Sequence, residues 1–207
     1  QVQDESSMLV AHVVDPQPGE LVLDVCSAPG GKTTHMAALM ENRGRIVACD
    51  IYDHKLQRVM ENAARLGINI IDPMLKDARE IHQDFSQQAD RVLVDAPCSG
   101  LGVLRRKPDS RWRKTQQLLK ELPELQLEIL KSGAACVKPG GILVYSTCTI
   151  AREENQAVVE KFLKDNAEFQ LEHTGSRLPV PREDAMVQLY PQRDGTDGFF
   201  IACMRRK

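Results

Sequence analysis

Asp24-Val25-Cys26-Ser27-Ala28-Pro29-Gly30-Gly31-Lys32-Thr33 decides how the chain is read. The apolar run Leu21-Val22-Leu23 precedes it, and a helical pattern from Thr33 to Met40 follows. A strand, a tight Gly-rich turn and a helix start, in that order, make a nucleotide-type cofactor site. Glycines let backbone N–H groups approach a ligand closely, and a helix N-terminus adds the positive end of a dipole.

Three Gly-rich loops compete, and spacing separates them. A phosphate-binding P-loop reads G-x-x-x-x-G-K-[ST], and Gly31-Lys32-Thr33 supplies its end; its first glycine would fall on Cys26. A dinucleotide fingerprint needs G-x-G-x-x-G after the strand, and only Gly30-Gly31 is present. Both fail on a named residue. The third is an S-adenosylmethionine (SAM) loop, where no pyrophosphate needs a cradle and a glycine pair suffices. On this segment alone, a plain strand-to-helix turn stays open.

The chain has 207 residues, enough for one α/β domain with a sizeable core. Its 27 basic and 29 acidic residues leave a net charge of −2, so any nucleic-acid footprint must be local. No apolar run approaches bilayer-spanning length, and no charged-then-apolar signal opens the chain. The expectation is a monomer with no membrane attachment. Cysteines at 26, 49, 98, 136, 148 and 203 form no C-x-x-C, and no histidine joins them at zinc spacing. No metal site is expected, and the thiols read as reduced in a cytoplasmic protein. The chain begins at Gln1 rather than Met, so the expectation is that residues 1–207 form one catalytic domain at the C-terminal end of something longer.

Residues 4–14 predict a short capped helix, ended near Asp15-Pro16. Strands are expected at Leu21–Ser27, Arg45–Asp50, Ile68–Leu75, Arg91–Val94, Gly141–Tyr145, Phe169–Glu172 and Phe199–Met204. Helices are expected at Lys55–Leu66, Leu118–Val137 and Glu153–Leu163, with Pro123 a kink or a break in the second. A Pro-rich loop separates the last two strands. Alternating strands and helices imply a mainly parallel seven-stranded sheet with helices on both faces, and ligands bind outside the carboxyl ends of such strands. Asp24, Asp50, Asp77, Asp95, Cys98 and Cys148 all fall at such ends. Asp50 lies about 20 residues after the glycines, where an acid can bond both ribose hydroxyls of an adenosine. A helix N-cap is the plainer role for it, and Asp53 could fill that role too. Asp77 can accept from an adenine amino group or solvate a loop.

Cys98 and Cys148 end strands expected to be neighbours, so both thiols can face one cleft. A thiolate can add to carbon 6 of a pyrimidine, making carbon 5 nucleophilic enough to take a methyl group; a base must then remove the carbon 5 proton so that the thiolate can leave. A free thiol needs nearby positive charge or a helix dipole to ionise. On spacing alone, two inert semi-buried cysteines are an equal alternative.

Four motifs together resemble the RNA cytosine-5 methyltransferases, and more narrowly the bacterial Sun/Fmu (RsmB-type) small-subunit ribosomal RNA enzymes. They are Asp24–Thr33, Asp-Ala-Pro-Cys-Ser-Gly (95–100), Tyr-Ser-Thr-Cys-Thr (145–149) and Gly-Thr-Asp-Gly-Phe-Phe-Ile-Ala (195–202). Gln3-Asp4-Glu5-Ser6 and the segment from Arg106 to Trp112 also fit. The resemblance implies a Rossmann-like class I SAM-dependent methyltransferase acting on 16S ribosomal RNA. It implies Cys148 as nucleophile, with Cys98 assisting proton removal and product release. Cys26, Ser27, Ala28, Pro29, Gly30, Gly31, Lys32, Asp50, Asp77 and Asp95 would hold SAM.

Independent support for RNA comes from Arg105, Arg106, Lys107, Arg111, Arg113 and Lys114, which crowd around Trp112. Such a strip can contact phosphates while the indole stacks on a base; a solvated loop is the equal alternative. Arg106, Arg111, Trp112 and Arg113 are the expected RNA contacts. Two other functions compete: a SAM-dependent methyltransferase with a non-RNA substrate, and an NTP-binding module, against which Cys26 argues.

Overall fold

The computed structural model describes residues 2–113 and 115–207, with the side chains at 110, 111, 113, 116, 118 and 119 left outside the description. One sheet carries the fold, in the strand order β3-β2-β1-β4-β5-β8-β6. The strands are β1 Leu21–Asp24, β2 Arg45–Asp50, β3 Ile71–Leu75, β4 Ala89–Asp95, β5 Val137–Thr147, β6 Phe169–Leu171 and β8 Phe199–Arg206. A further strand, β7 Val187–Leu189, pairs with β8 off this path. The sheet thus has eight strands where seven were expected. The eighth hides in the Pro-rich loop, because three residues are too few to show an alternating pattern. Its Val187 and Leu189 are buried against the sheet, and its antiparallel register runs Val187↔Ile201 to Leu189↔Phe199.

β1 to β5 pair parallel, and β8 runs antiparallel to β5. The order reverses beside β1, which has β2 on one side and β4 on the other. Such a switch point opens a crevice at the carboxyl strand ends. The central strands are buried on both faces, as a parallel sheet requires: Val22, Leu23, Val92, Leu93, Val94, Leu143 and Val144 are at most 1% exposed. Pro73 is tolerated in β3 because that strand is an edge, paired only with β2.

Helix α1 (Glu5–Val14) starts on Asp4, whose carboxylate accepts the Ser6 N–H, and ends on Asp15 in a left-handed conformation. Helix α2 (Gly31–Leu39) begins immediately after Gly30, which sits at φ +96°. A Cβ there would also press on Val59 of α3 (Asp53–Arg65). Gly30 is therefore required twice, by conformation and by helix packing. Asp53 opens α3 from inside, and Tyr52 is its cap residue. After α4 (His82–Phe85), α5 (Gln116–Cys136) runs unbroken through Pro123, so of the kink or break expected there the break does not occur. Helix α6 is Gln156–Asp165 and α7 is Pro191–Asp194. No helix among the described residues is long and apolar enough to cross a membrane.

Candidate active site

The loop after β1 is wedged between two strand ends by its backbone. Val25 donates to the Leu93 carbonyl at 3.0 Å, and Ser27 to the Cys49 carbonyl at 2.9 Å. It walls a cavity of about 150 Å³ lined by Asp24, Cys26, Ser27, Ala28, Pro29, Gly31, Lys32 and Asp95. Val2, Gln3 and Ser7 close it from the N-terminal segment and α1. The placing of Gln3 and Ser7 at the cavity was missed in the sequence: Gln3 counted only in the family fit of the opening residues, and Ser7 only as part of the capped helix start. Among the expected cofactor residues, Gly30 shapes the loop, while Asp50 and Asp77 lie outside this cavity along the same sheet edge. Asp50 accepts the Tyr52 N–H at 3.0 Å. Asp77 caps a short 3-10 turn and pairs with Arg79, whose guanidinium holds its carboxyl below the usual range. Asp24, Asp50 and Asp77 all act on Cys49, which burial first and these charges next push up to about 12.

Asp24 sits at the base of the cavity, 1% exposed. Its Oδ2 accepts from Thr33 Oγ1 at 2.7 Å, and its Oδ1 is buried with no hydrogen-bond partner. Burial, helped by the charge of Asp95 and opposed by the Thr33 bond, pushes this carboxyl up to about 7. A cationic ligand would supply what the orphaned oxygen lacks. Asp24 and Asp95 in the cavity, with Asp50 outside it along the same sheet edge, suit a cationic nucleoside with a ribose diol and repel a triphosphate.

The same raised value predicts a pH-dependent stability. Folded Asp24 keeps a proton that the unfolded chain releases near the ordinary 3.8, so stability falls as pH rises from there through about 7 and then levels off. Asp24→Asn should therefore stabilise the ligand-free protein by a few kcal/mol (roughly 1–4) above pH ~7, with little gain near pH ~4. Ligand affinity should weaken in the same variant. Thermal melts across pH check this; an Asn variant melting lower at high pH would refute it.

Lys32 Nζ donates to Asp95 Oδ2 at 2.8 Å and lies 5.1 Å from the centre of the Phe199 ring. Ser146 Oγ donates to the other Asp95 oxygen, also at 2.8 Å. Beside this pair, Cys98 Sγ and Cys148 Sγ lie 3.4 Å apart, and all six cysteines are free. The strand ends bring them together: β4 and β5 pair parallel to Asp95↔Ser146, and each cysteine follows within three residues. The two thiols are unlike. A hydrogen bond from Cys98, with further help from the Lys32 charge, holds Cys148 below an ordinary thiol against its burial. The same bond, burial and the charges of Cys148 and Glu154 push Cys98 well above one. The proton of the pair thus rests on Cys98. Cys26 is likewise pushed far up, by burial first and Asp24 next, which leaves it a protonated wall of the cavity.

In the basic strip, Arg105 Nε meets Asp197 Oδ1 at 2.6 Å, Arg106 Nε meets Asp197 Oδ2 at 3.0 Å, and both pair with Asp4. They tie the start of α1 to the loop before β8 while both side chains stay exposed. Trp112 is 82% exposed. The side chains of Arg111 and Arg113, and all of Lys114, lie outside the described residues.

A probable ribosomal RNA small subunit methyltransferase B of Bacillus subtilis (strain 168) is 47% identical over 212 residues, covering 100% of this chain and 47% of that protein. A protein of the same description from Synechocystis is 41% identical, covering 99% of this chain and 47% of its own length. The chain thus spans about half the length of the curated relatives it matches. Among solved structures, NSun6 from Pyrococcus horikoshii with SFG superposes with a TM-score of 0.87 at 33% identity, over 99% of this chain and 52% of that one. The model of the 16S rRNA methyltransferase RsmB/F family matches residues 11–205, and the chain belongs to that family.

Proposed function

We propose that residues 1–207 are the catalytic part of an RNA (cytosine-5)-methyltransferase whose substrate is small-subunit (16S) ribosomal RNA, working through a covalent cysteine–cytosine intermediate. One observation carries the reading: two thiols 3.4 Å apart, at the ends of neighbouring strands beside the Lys32–Asp95 pair. The cofactor is S-adenosylmethionine, which when bound supplies the methyl group from a sulfonium. Asp24, Cys26 to Lys32, Asp50 and Asp95 are the residues that would hold it, with Asp77 at the outer edge.

The steps follow from where the proton of the pair rests. The Cys148 thiolate donates its electron pair to carbon 6 of the cytosine, forming a C–S bond and pushing density onto carbon 5. The Cys148 charge is consumed in that bond, and with it a main cause of Cys98 keeping its proton. Cys98 releases that proton to solvent. After carbon 5 has gained the methyl group, Cys98 takes the carbon 5 proton; the freed pair re-forms the ring double bond and expels Cys148 as thiolate. The cytosine must leave its stack to reach the thiols, and exposed Trp112 offers a face for a neighbouring base.

A covalent-trapping gel with SAM and small-subunit ribosomal RNA tests the reading on the parent, Cys98→Ala and Cys148→Ala proteins. A stable protein–RNA adduct is expected with Cys98→Ala and none with Cys148→Ala. An adduct that requires Cys98 instead would reverse the two roles, and methylation surviving Cys148→Ala would remove the covalent route.

A further inference from the structure

Glu154 lies on the 3-10 turn Arg152–Glu154, six residues beyond Cys148, and is 1% exposed. Its Oε2 accepts from the Ser99 N–H at 2.8 Å and from Gln126 Nε2 at 2.9 Å. Its Oε1 accepts from Ser99 Oγ and, at 3.3 Å, from Thr149 Oγ1. Ser99 directly follows Cys98, and Thr149 directly follows Cys148. The two hydroxyls also lie 2.8 Å apart, and with one proton each they share them between this contact and Oε1. Gln126 of α5 spends its other N–H on the Pro97 carbonyl at 2.9 Å. The residues on both sides of Cys98 are therefore tied to this one centre.

A buried carboxylate is costly unless its lone pairs are filled. Here none of the four donors is a cation, so the charge is solvated by neutral dipoles and its field remains. Two of the donors, a backbone N–H and the Gln126 amide nitrogen, can only donate. Both sit on Oε2, while Oε1 faces two hydroxyls that can turn to accept, so a glutamine at 154 can keep these contacts with its oxygen towards the N–H donors and its NH2 towards the hydroxyls.

We propose that Glu154 is a positioning residue of the thiol pair: it fixes the segment after Cys98 against the segment after Cys148 and so sets how unequally the two thiols react. The inference rests on the reading of these two cysteines as the catalytic pair. The bond between the sulfurs is symmetric in geometry; it and burial weigh most on both thiols, and the charges around them differ. Lys32 acts on the Cys148 side and Glu154 on the Cys98 side; Asp95 works against the Cys148 thiolate.

The test needs neither RNA nor SAM, so its failure is distinct from failure of the proposed function. The folded protein is treated with a limiting amount of iodoacetamide at one mildly alkaline pH, and the alkylated peptides are quantified by mass spectrometry. Cys148 is expected to react at least ~10-fold faster than Cys98 in the parent, because the thiolate is the nucleophile. In Glu154→Ala the preference should fall to within ~3-fold, and Glu154→Gln, which can keep the contacts, should restore part of it. A folded Glu154→Ala protein with the parental preference overturns the proposal. Should Glu154→Ala fail to fold, Thr149→Val decides: it leaves the carboxylate charged but cuts its link to the Cys148 segment. A several-fold loss of preference supports the proposal, and an unchanged preference overturns it.

Discussion

Cys148→Ser is expected to lower kcat for methyl transfer on the order of 10⁴-fold or more, with the KM for RNA nearly unchanged. The substitution keeps the shape of the side chain and removes its ability to ionise. A serine hydroxyl stays protonated in surroundings that hold the Cys148 thiol below its ordinary value. The addition to carbon 6 then has no nucleophile, while binding surfaces are untouched. The loss falls on the transition state, so it appears in kcat. The parent's rate should rise with pH as the Cys148 thiolate forms, and the midpoint should lie below that of an ordinary thiol. Lys32→Met should move the midpoint upward, since one positive charge favouring the thiolate is gone and Asp95 is left to oppose it. Single-turnover kinetics with labelled SAM would measure both. A Cys148→Ser enzyme retaining more than about a hundredth of the parental rate would exclude thiolate attack by this residue.

The parts of the site that the sequence displayed are those with local causes. Gly30-Gly31 after an apolar strand announces its turn because φ of +96° at Gly30 is a one-residue requirement. The carboxylates at strand ends could be placed because α/β alternation alone fixes which end faces the crevice. The missing parts are long-range. Arg106 reads as a phosphate contact among its basic neighbours, and only the fold brings it to Asp4 and Asp197. Glu154, in Arg-Glu-Glu-Asn, looks like an exposed helix start, yet it is buried under donors from residues 28 and 55 positions away. β5 begins at Val137, where the expected helix ended, and runs through Pro139-Gly140 to the expected strand start at Gly141; the pairing Ala89↔Val137 followed by a register shift absorbs those residues. In each case the local signal was silent about a distant partner.

Gly102→Ala is expected to destabilise the protein by about 3 kcal/mol or more, lowering Tm by roughly 6–12 °C for a domain of this size. The reason is a meeting of three backbones. Gly102 donates to the Cys148 carbonyl at 3.0 Å and accepts from the Gly198 N–H at 2.9 Å. A methyl group on Gly102 would overlap the Gly198 carbonyl oxygen, lie 2.6 Å from its carbon, and lie 2.9 Å from the Cys148 oxygen. None of these is the end of a flexible side chain, so relief requires moving the chain that carries Cys148. Gly67 provides the contrast. It has φ +68° and open space around its Cβ position, so Gly67→Ala costs only the left-handed backbone penalty of roughly 1–2 kcal/mol. Gly102 carries no positive φ, so its penalty is contact alone. The two variants separate strain from packing in one melting experiment. Gly102→Ala should also loosen the 3.4 Å thiol pair and cut methyl transfer even below its melting temperature, whereas Gly67→Ala should leave the rate alone. A Gly102→Ala protein that melts like the parent would mean that the loop after Cys98 is not seated on Gly198 and Cys148.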